Sequence, residues 1–181
     1  MAYLLRSLIV LMITGIFLTV ALAFGWLELK FSHIQLAIPA FIFTIFAQAF
    51  VMFYFIGVSR LVDNVAMILT SKSNLHEIFD TPPADLSPYI TKVRQYVADT
   101  TRSKRQTIPW TMMMLILGML AFLLGGAHDT GLVAQQIHTG VVYGFLAAMM
   151  IGFVRQWYYL GKTHHTLRSF KALFSIPDDS M

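Results

Sequence analysis

Residues 34–58 of this chain read IQLAIPAFIFTIFAQAFVMFYFIGV, a run of 25 residues without a charged side chain. A helix needs about 20 mostly apolar residues to cross the hydrocarbon core of a bilayer, which is roughly 30 Å thick. Three other predominantly apolar stretches meet this requirement, at about residues 4–27, 108–126 and 132–154. The sequence therefore predicts an all-α, polytopic integral membrane protein with a bundle of four transmembrane helices.

The composition favours the same class of protein. Apolar residues make up 57% of the chain and charged residues 12%, whereas soluble domains average about 45–50% and about 25%. The chain has no cysteine, which excludes thiolate metal sites, a cysteine nucleophile and covalent haem attachment through cysteine. No internal repeat divides the sequence, so residues 1–181 are expected to form a single membrane domain.

The distribution of lysine and arginine predicts the orientation of the chain. Lys30 is the one basic residue in the short connections on one side of the spans. The basic residues that follow the second and fourth spans are Arg60, Lys72, Lys92, Arg94, Arg102, Lys104, Arg105, Arg155, Lys162, Arg168 and Lys171. By the positive-inside rule, both termini and the tail at about residues 161–181 are expected in the cytoplasm, in a bacterial inner membrane. The expected lipid partners include anionic head groups, and nucleic acid is not an expected partner.

The middle segment, at about residues 59–107, is less apolar and is predicted to be cytoplasmic. Apolar residues at helical spacing after residue 58 indicate that the second helix continues beyond the bilayer. Ser87 followed by Pro88 is typical of a helix start and predicts a short amphipathic helix lying on the membrane face. Thr107 and Pro109 are in turn expected to open the third transmembrane helix.

Polar residues mark the start and the interior of the second span. Ser32 followed by Gln35 is a capping-box pattern at its start. Thr44 and Gln48 lie on one stripe of the helix, with Gln48 near the middle of the bilayer. An amide in hydrocarbon is retained more easily when it bonds across the bundle, so this stripe is expected to face inward. A quinone, a lipid head group or another subunit is the alternative partner for it.

Histidines are the main candidates for cofactor chemistry. His33, His128 and His138 come from three segments and are all expected at the outer end of the bundle, with Asp129 beside His128. His33 and His138 are the candidate axial pair for a b-type haem or ligands for copper, and His128 with Asp129 is a candidate metal site. The alternative is that His33 and His128 are solvated and that His138 hydrogen-bonds another helix.

The fourth span carries small residues at every fourth position, namely Gly140, Gly144, Ala148 and Gly152. Such a series lets a second helix approach closely. The partner is either another helix of the same bundle or a helix of another subunit. This pattern predicts tight helix packing without naming the partner.

Catalytic residues are not indicated by the sequence. The predicted spans contain no Asp, Glu or Lys, and the chain has no phosphate-binding loop, nucleophile elbow or zinc-protease motif. We therefore expect a non-catalytic four-helix subunit that packs with itself or other membrane subunits into a homo-oligomer or larger membrane complex. The alternative is a membrane b-type cytochrome or metal-binding electron-transfer subunit. A third hypothesis is a sensor or assembly factor whose middle segment binds a cytoplasmic partner.

Overall fold

The computed structural model describes residues 2–30, 32–72, 74–79 and 81–176. Within these ranges the chain forms four long α-helices, and each is long and apolar enough to cross a membrane. They are α1 (Ala2–Ala23), α2 (His33–Ser71), α3 (Ser87–Asp129) and α4 (Gln135–Leu173), with one 3₁₀ turn at Leu75–Glu77. The all-helical class and the four apolar helices predicted from the sequence are confirmed.

Three of the helices are much longer than a bilayer requires. They contain 39, 43 and 39 residues, which is about 60 Å at about 1.5 Å per residue. The excess length forms a helical extension at one end of the bundle, made of residues 59–71 of α2, 87–107 of α3 and 155–173 of α4. The tail predicted at residues 161–181 is thus helical as far as Leu173, and residues 177–181 lie outside the described ranges.

The first half of α3 corrects the prediction for the middle segment. A separate surface helix and a new helix start at Thr107 are both wrong, because α3 is continuous from Ser87 and contains Pro109 in its interior. The Thr107 hydroxyl donates to the Ser103 carbonyl one turn earlier, at 2.9 Å, as it does within a helix. The apolar face of the predicted amphipathic helix instead packs on α2 and α4, where Val93 lies in a cluster with Val62, Leu69 and Phe170.

Local chemistry explains where the helices begin and end. The capping box at the start of α2 is confirmed, with Ser32 and Gln35 exchanging side-chain to backbone hydrogen bonds of 3.4 and 3.1 Å. At the start of α3 the Ser87 amide donates to the Asp85 carboxylate at 2.9 Å, and this bond lowers the pKa of Asp85. Helix α1 stops earlier than predicted because Gly25, at φ +69°, takes a left-handed conformation that closes its last turn.

Consecutive helices pack side by side, and α1 also contacts α4. In the apolar part of the bundle the core comprises two clusters, one around Met12, Met114 and Phe145 and one around Ile9 and Leu160. In the most apolar 18-residue stretch of each helix, only a small share is buried inside the bundle: 28% in α1, 22% in α2 and 17% in both α3 and α4. The remaining apolar surface needs contact with lipid or with another protein.

Candidate functional site

The candidate cofactor residues converge at one end of the bundle, which we call the histidine end. His33 begins α2, His128 and Asp129 end α3, and His138 lies in the first turn of α4, and all four line one cavity of about 220 Å³. The rings of His128 and His138 are nearly parallel, with centroids 6.1 Å apart and an interplanar angle of 15°. The structure thus brings together residues separated by about one hundred positions in sequence.

A larger cavity of about 330 Å³, which we call the chamber, adjoins this group. All four helices line it, and His33, Asp129 and His138 border both cavities. The chamber exists because the facing helices carry small side chains there. These small lining residues are Ala23 on α1, Ala37 and Ala40 on α2, and Gly118, Ala121, Gly125 and Gly126 on α3.

His138 is held tightly between α3 and α4. A Cβ atom placed on Gly125 would lie 3.1 Å from the Cε1 atom of His138, so the ring occupies the space that this glycine leaves. The Nδ1 atom of His138 is buried and has no hydrogen-bond partner among the described residues. An unpaired buried nitrogen costs free energy unless a ligand or water satisfies it.

The described residues offer few side chains that could bind a metal ion. Among the described residues there is no group of three or more His, Cys, Asp or Glu side chains that could hold one. One ring nitrogen of His128 already has a hydrogen-bond partner, because its Nδ1 atom lies 3.1 Å from the Val133 carbonyl oxygen. A metal at His128 and Asp129, and a haem or copper ion at His33 and His138, therefore stay predictions.

The two polar residues of α2 lie in the interior of the bundle, where Thr44 is 3% and Gln48 0% exposed. The Thr44 hydroxyl donates to the Ala40 carbonyl of its own helix at 2.7 Å. Gln48 accepts a 2.6 Å hydrogen bond from the Nε2 atom of Gln156 on α4, and its own Nε2 lies 3.0 Å from the Met12 sulfur. Gln156 also donates to the Thr111 hydroxyl at 2.9 Å, so one amide links α2, α3 and α4.

The sequence analysis expected Gln48 to bond across the bundle, but it singled out neither Gln156 nor the hydroxyl row of α3, although a signal for that row is present. Thr100, Ser103, Thr107 and Thr111 recur at spacings of three and four along α3, and all are at most 2% exposed. Each hydroxyl donates to a carbonyl of its own helix. The hydroxyl groups of this row are therefore all hydrogen-bonded within α3. Their side chains are small and form a narrow face, which lets α2 and α4 pack closely against it.

Replacing Gln156 by leucine should lower the free energy of unfolding by about 1–2 kcal/mol, because it removes two hydrogen bonds and leaves the Gln48 carbonyl oxygen unpaired. Gln136→Leu, at an exposed position of the same helix, is the matched control. The comparison is an unfolding titration with sodium dodecyl sulfate in mixed micelles. Equal midpoints for the two variants would show that the network contributes nothing to stability.

The small residues of α4 divide into two groups. Ala148 is 4% exposed and Gly152 is buried, and a Cβ atom on Gly152 would lie 2.7 Å from the Met114 sulfur on α3. Gly140 and Gly144 are exposed, and a Cβ atom on either would meet no atom within 4 Å. One half of the series thus serves packing inside the bundle, and the other half lies open on its surface.

Basic side chains near the base of the extension are tied to aromatic and polar groups. The guanidinium of Arg6 lies 4.8 Å from the Trp157 ring centre, and that of Arg155 lies 5.2 Å from the Trp110 ring centre. Arg155 also donates to the Gln106 side chain at 2.5 Å. Tryptophan and arginine are typical of the boundary between hydrocarbon and head groups.

No protein-family model matches this chain, and no curated protein or solved structure shows significant similarity to it. The functional assignment therefore rests on the arrangement of its own residues.

Proposed function

We propose that this chain is a non-catalytic membrane subunit that packs into a homo-oligomer or a larger membrane complex. Its four apolar helices cross a bacterial inner membrane with both termini in the cytoplasm, and the helical extension lies on the cytoplasmic side. The excess of basic residues in and around the extension supports this orientation, and Trp110 and Trp157 suit its boundary with the membrane. The same basic residues suit contact with anionic lipid head groups.

The open half of the α4 series carries the proposal. Gly140 and Gly144 lie on an exposed face together with Ile137 and Ile151, which are 57% and 45% exposed. Glycines four residues apart allow two helix backbones to come close enough for extensive van der Waals contact. Since the other helices of the bundle leave these glycines uncovered, the matching helix belongs to another subunit or to a second copy of the chain.

The test is a leucine substitution at Gly144, which should reduce recovery of the assembled complex by at least about tenfold if close backbone approach is lost. Gly57→Leu is the matched control, because Gly57 is also an exposed helical glycine with no atom within 4 Å of a Cβ. Both variants should fold as monomers. Native electrophoresis of gently extracted membranes measures the assembly, and equal complex recovery for the two would contradict the proposal.

A second candidate function is electron transfer through a b-type haem or a metal ion. It is favoured by one observation, namely that His33 and His138 border the same two cavities. In this function the two imidazoles are the ligands, and Asp129 influences the charge at the rim. A reduced-minus-oxidised spectrum with metal analysis tests it. A Soret band that disappears in His138→Leu would support it, and a colourless, metal-free protein would eliminate it.

A further inference from the structure

We propose that the chamber at the histidine end binds the ring of a lipid-soluble quinone or hydroquinone, with a ring oxygen hydrogen-bonded to the imidazole of His138. This inference concerns binding only and does not depend on assembly through Gly144. It does require the bundle to lie in a membrane, where such a ligand is dissolved.

The volume and origin of the chamber favour a ligand. A cavity of about 330 Å³ is within the roughly 300–1,000 Å³ typical of small-molecule sites. Elsewhere in the bundle the same helices fill their contacts with methionine, leucine and phenylalanine. At the chamber, Ala37, Ala121 and Gly125 leave the space unfilled.

The polar groups of the chamber are few and lie at one end. The hydroxyls of Thr19 and Thr44 are bonded to carbonyls of their own helices. The imidazole of His138 also lines the chamber. A neutral imidazole nitrogen either donates to a carbonyl or accepts from a hydroxyl, which suits the oxidised and reduced members of a quinone couple.

The charges around the chamber select against other membrane ligands. Its lining within the described residues includes no Lys or Arg, which a phosphate head group would require. The Asp129 carboxylate on the rim repels fatty acids and other anions. A neutral molecule with a polar oxygen and an apolar body satisfies both conditions.

The walls suit a flat ring with an attached chain. Phe41 on α2 and Phe122 on α3 stack at 4.7 Å with an interplanar angle of 7°, and both line the chamber. Ile38 and Leu123 also line it and are 45% and 58% exposed on the bundle surface. The edge of the chamber therefore reaches the surface between α2 and α3, where an isoprenoid chain can extend into lipid.

The experiment uses the full chain in phosphatidylcholine nanodiscs and an azido-substituted quinone as a photoaffinity probe. Labelled peptides are mapped by mass spectrometry, with decylubiquinone and decylbenzene as competitors. We expect labels on peptides that line the chamber, competition by decylubiquinone and none by decylbenzene. His138→Phe keeps a ring but removes the ring nitrogens. It should raise the concentration of decylubiquinone needed for half-maximal competition by about 5–10-fold.

Two filling variants and two controls complete the test. Ala37→Phe should abolish competable labelling because it fills the chamber, and Val142→Phe does the same from α4 if the first variant does not fold. Ala147→Phe, at an exposed position that does not line the chamber, should bind normally. Gly144→Leu should also bind normally, which separates this proposal from the assembly proposal.

Three outcomes would overturn the inference. One is undiminished labelling in a folded filling variant, and another is equal competition by decylbenzene. The third is co-purification of stoichiometric haem whose spectrum depends on His138, because a porphyrin would then occupy the site.

Discussion

Replacing Gly152 by leucine is expected to lower the free energy of unfolding by about 3 kcal/mol, at the upper end of the usual range for overpacking. The reason is that even a Cβ atom added at this position would lie 2.7 Å from both the sulfur and the Cε atom of Met114. Met114 is 1% exposed and belongs to the core cluster, so its side chain has little room to move. The larger residue forces α3 and α4 apart.

Gly144→Leu is the control on the same helix, two turns away and open to the surface. An unfolding titration in mixed micelles measures both variants, under conditions in which the chain is monomeric. A loss in Gly152→Leu with no loss in Gly144→Leu is the expected result. Equal stability of the two variants would contradict close packing of α3 against α4 at Gly152.

Replacing Phe170 by alanine is expected to destabilise the extension by about 3–5 kcal/mol, the usual cost of truncating a buried phenylalanine. Phe170 is 2% exposed, and its ring lies against those of Tyr96 and Phe174, at centroid distances of 6.1 and 5.2 Å. It belongs to the cluster that joins α2, α3 and α4 beyond the apolar spans. The extension should therefore open while the apolar bundle stays folded.

Amide hydrogen exchange of the protein in nanodiscs resolves the two regions. Faster exchange in residues 59–71, 87–107 and 155–173, with unchanged exchange in the apolar spans, is the expected pattern. Met67→Ala is the control, because Met67 lies in the extension and is 65% exposed. If Phe170→Ala and Met67→Ala gave the same exchange, the extension would not be a packed three-helix unit.

The helices themselves were the part of the fold that could best be predicted from the sequence. Length and apolar composition predicted four helices, and the capping pattern at Ser32 and Gln35 fixed the start of α2. The continuity of α3 was missed because Pro109 is typical of a helix start. A proline removes one backbone hydrogen bond but does not stop a helix that packs against neighbours on both sides of it. That packing is tertiary information, which a local pattern does not contain.

The candidate site could be predicted from the sequence only in part. Topology alone predicted that His33, His128 and His138 share one end of the bundle, because loops on the same side of the spans lie near one another. The chamber was not predictable, since it depends on which faces of four helices meet. Gln156 was missed because it lies just beyond the predicted fourth span, and its bond to Gln48 joins residues 108 positions apart.

The proposed function depends on contact between the face of α4 around Gly140 and Gly144 and another protein subunit in the membrane. Because the chain has no cysteine, a single Gly140→Cys substitution can carry a benzophenone maleimide at that face in native membranes. The control is Leu11→Cys on α1, which is 63% exposed on another surface. We expect a discrete cross-linked product, with the chain itself or another membrane protein, from Gly140→Cys alone. Lipid adducts alone, or the same products from both positions, would contradict it.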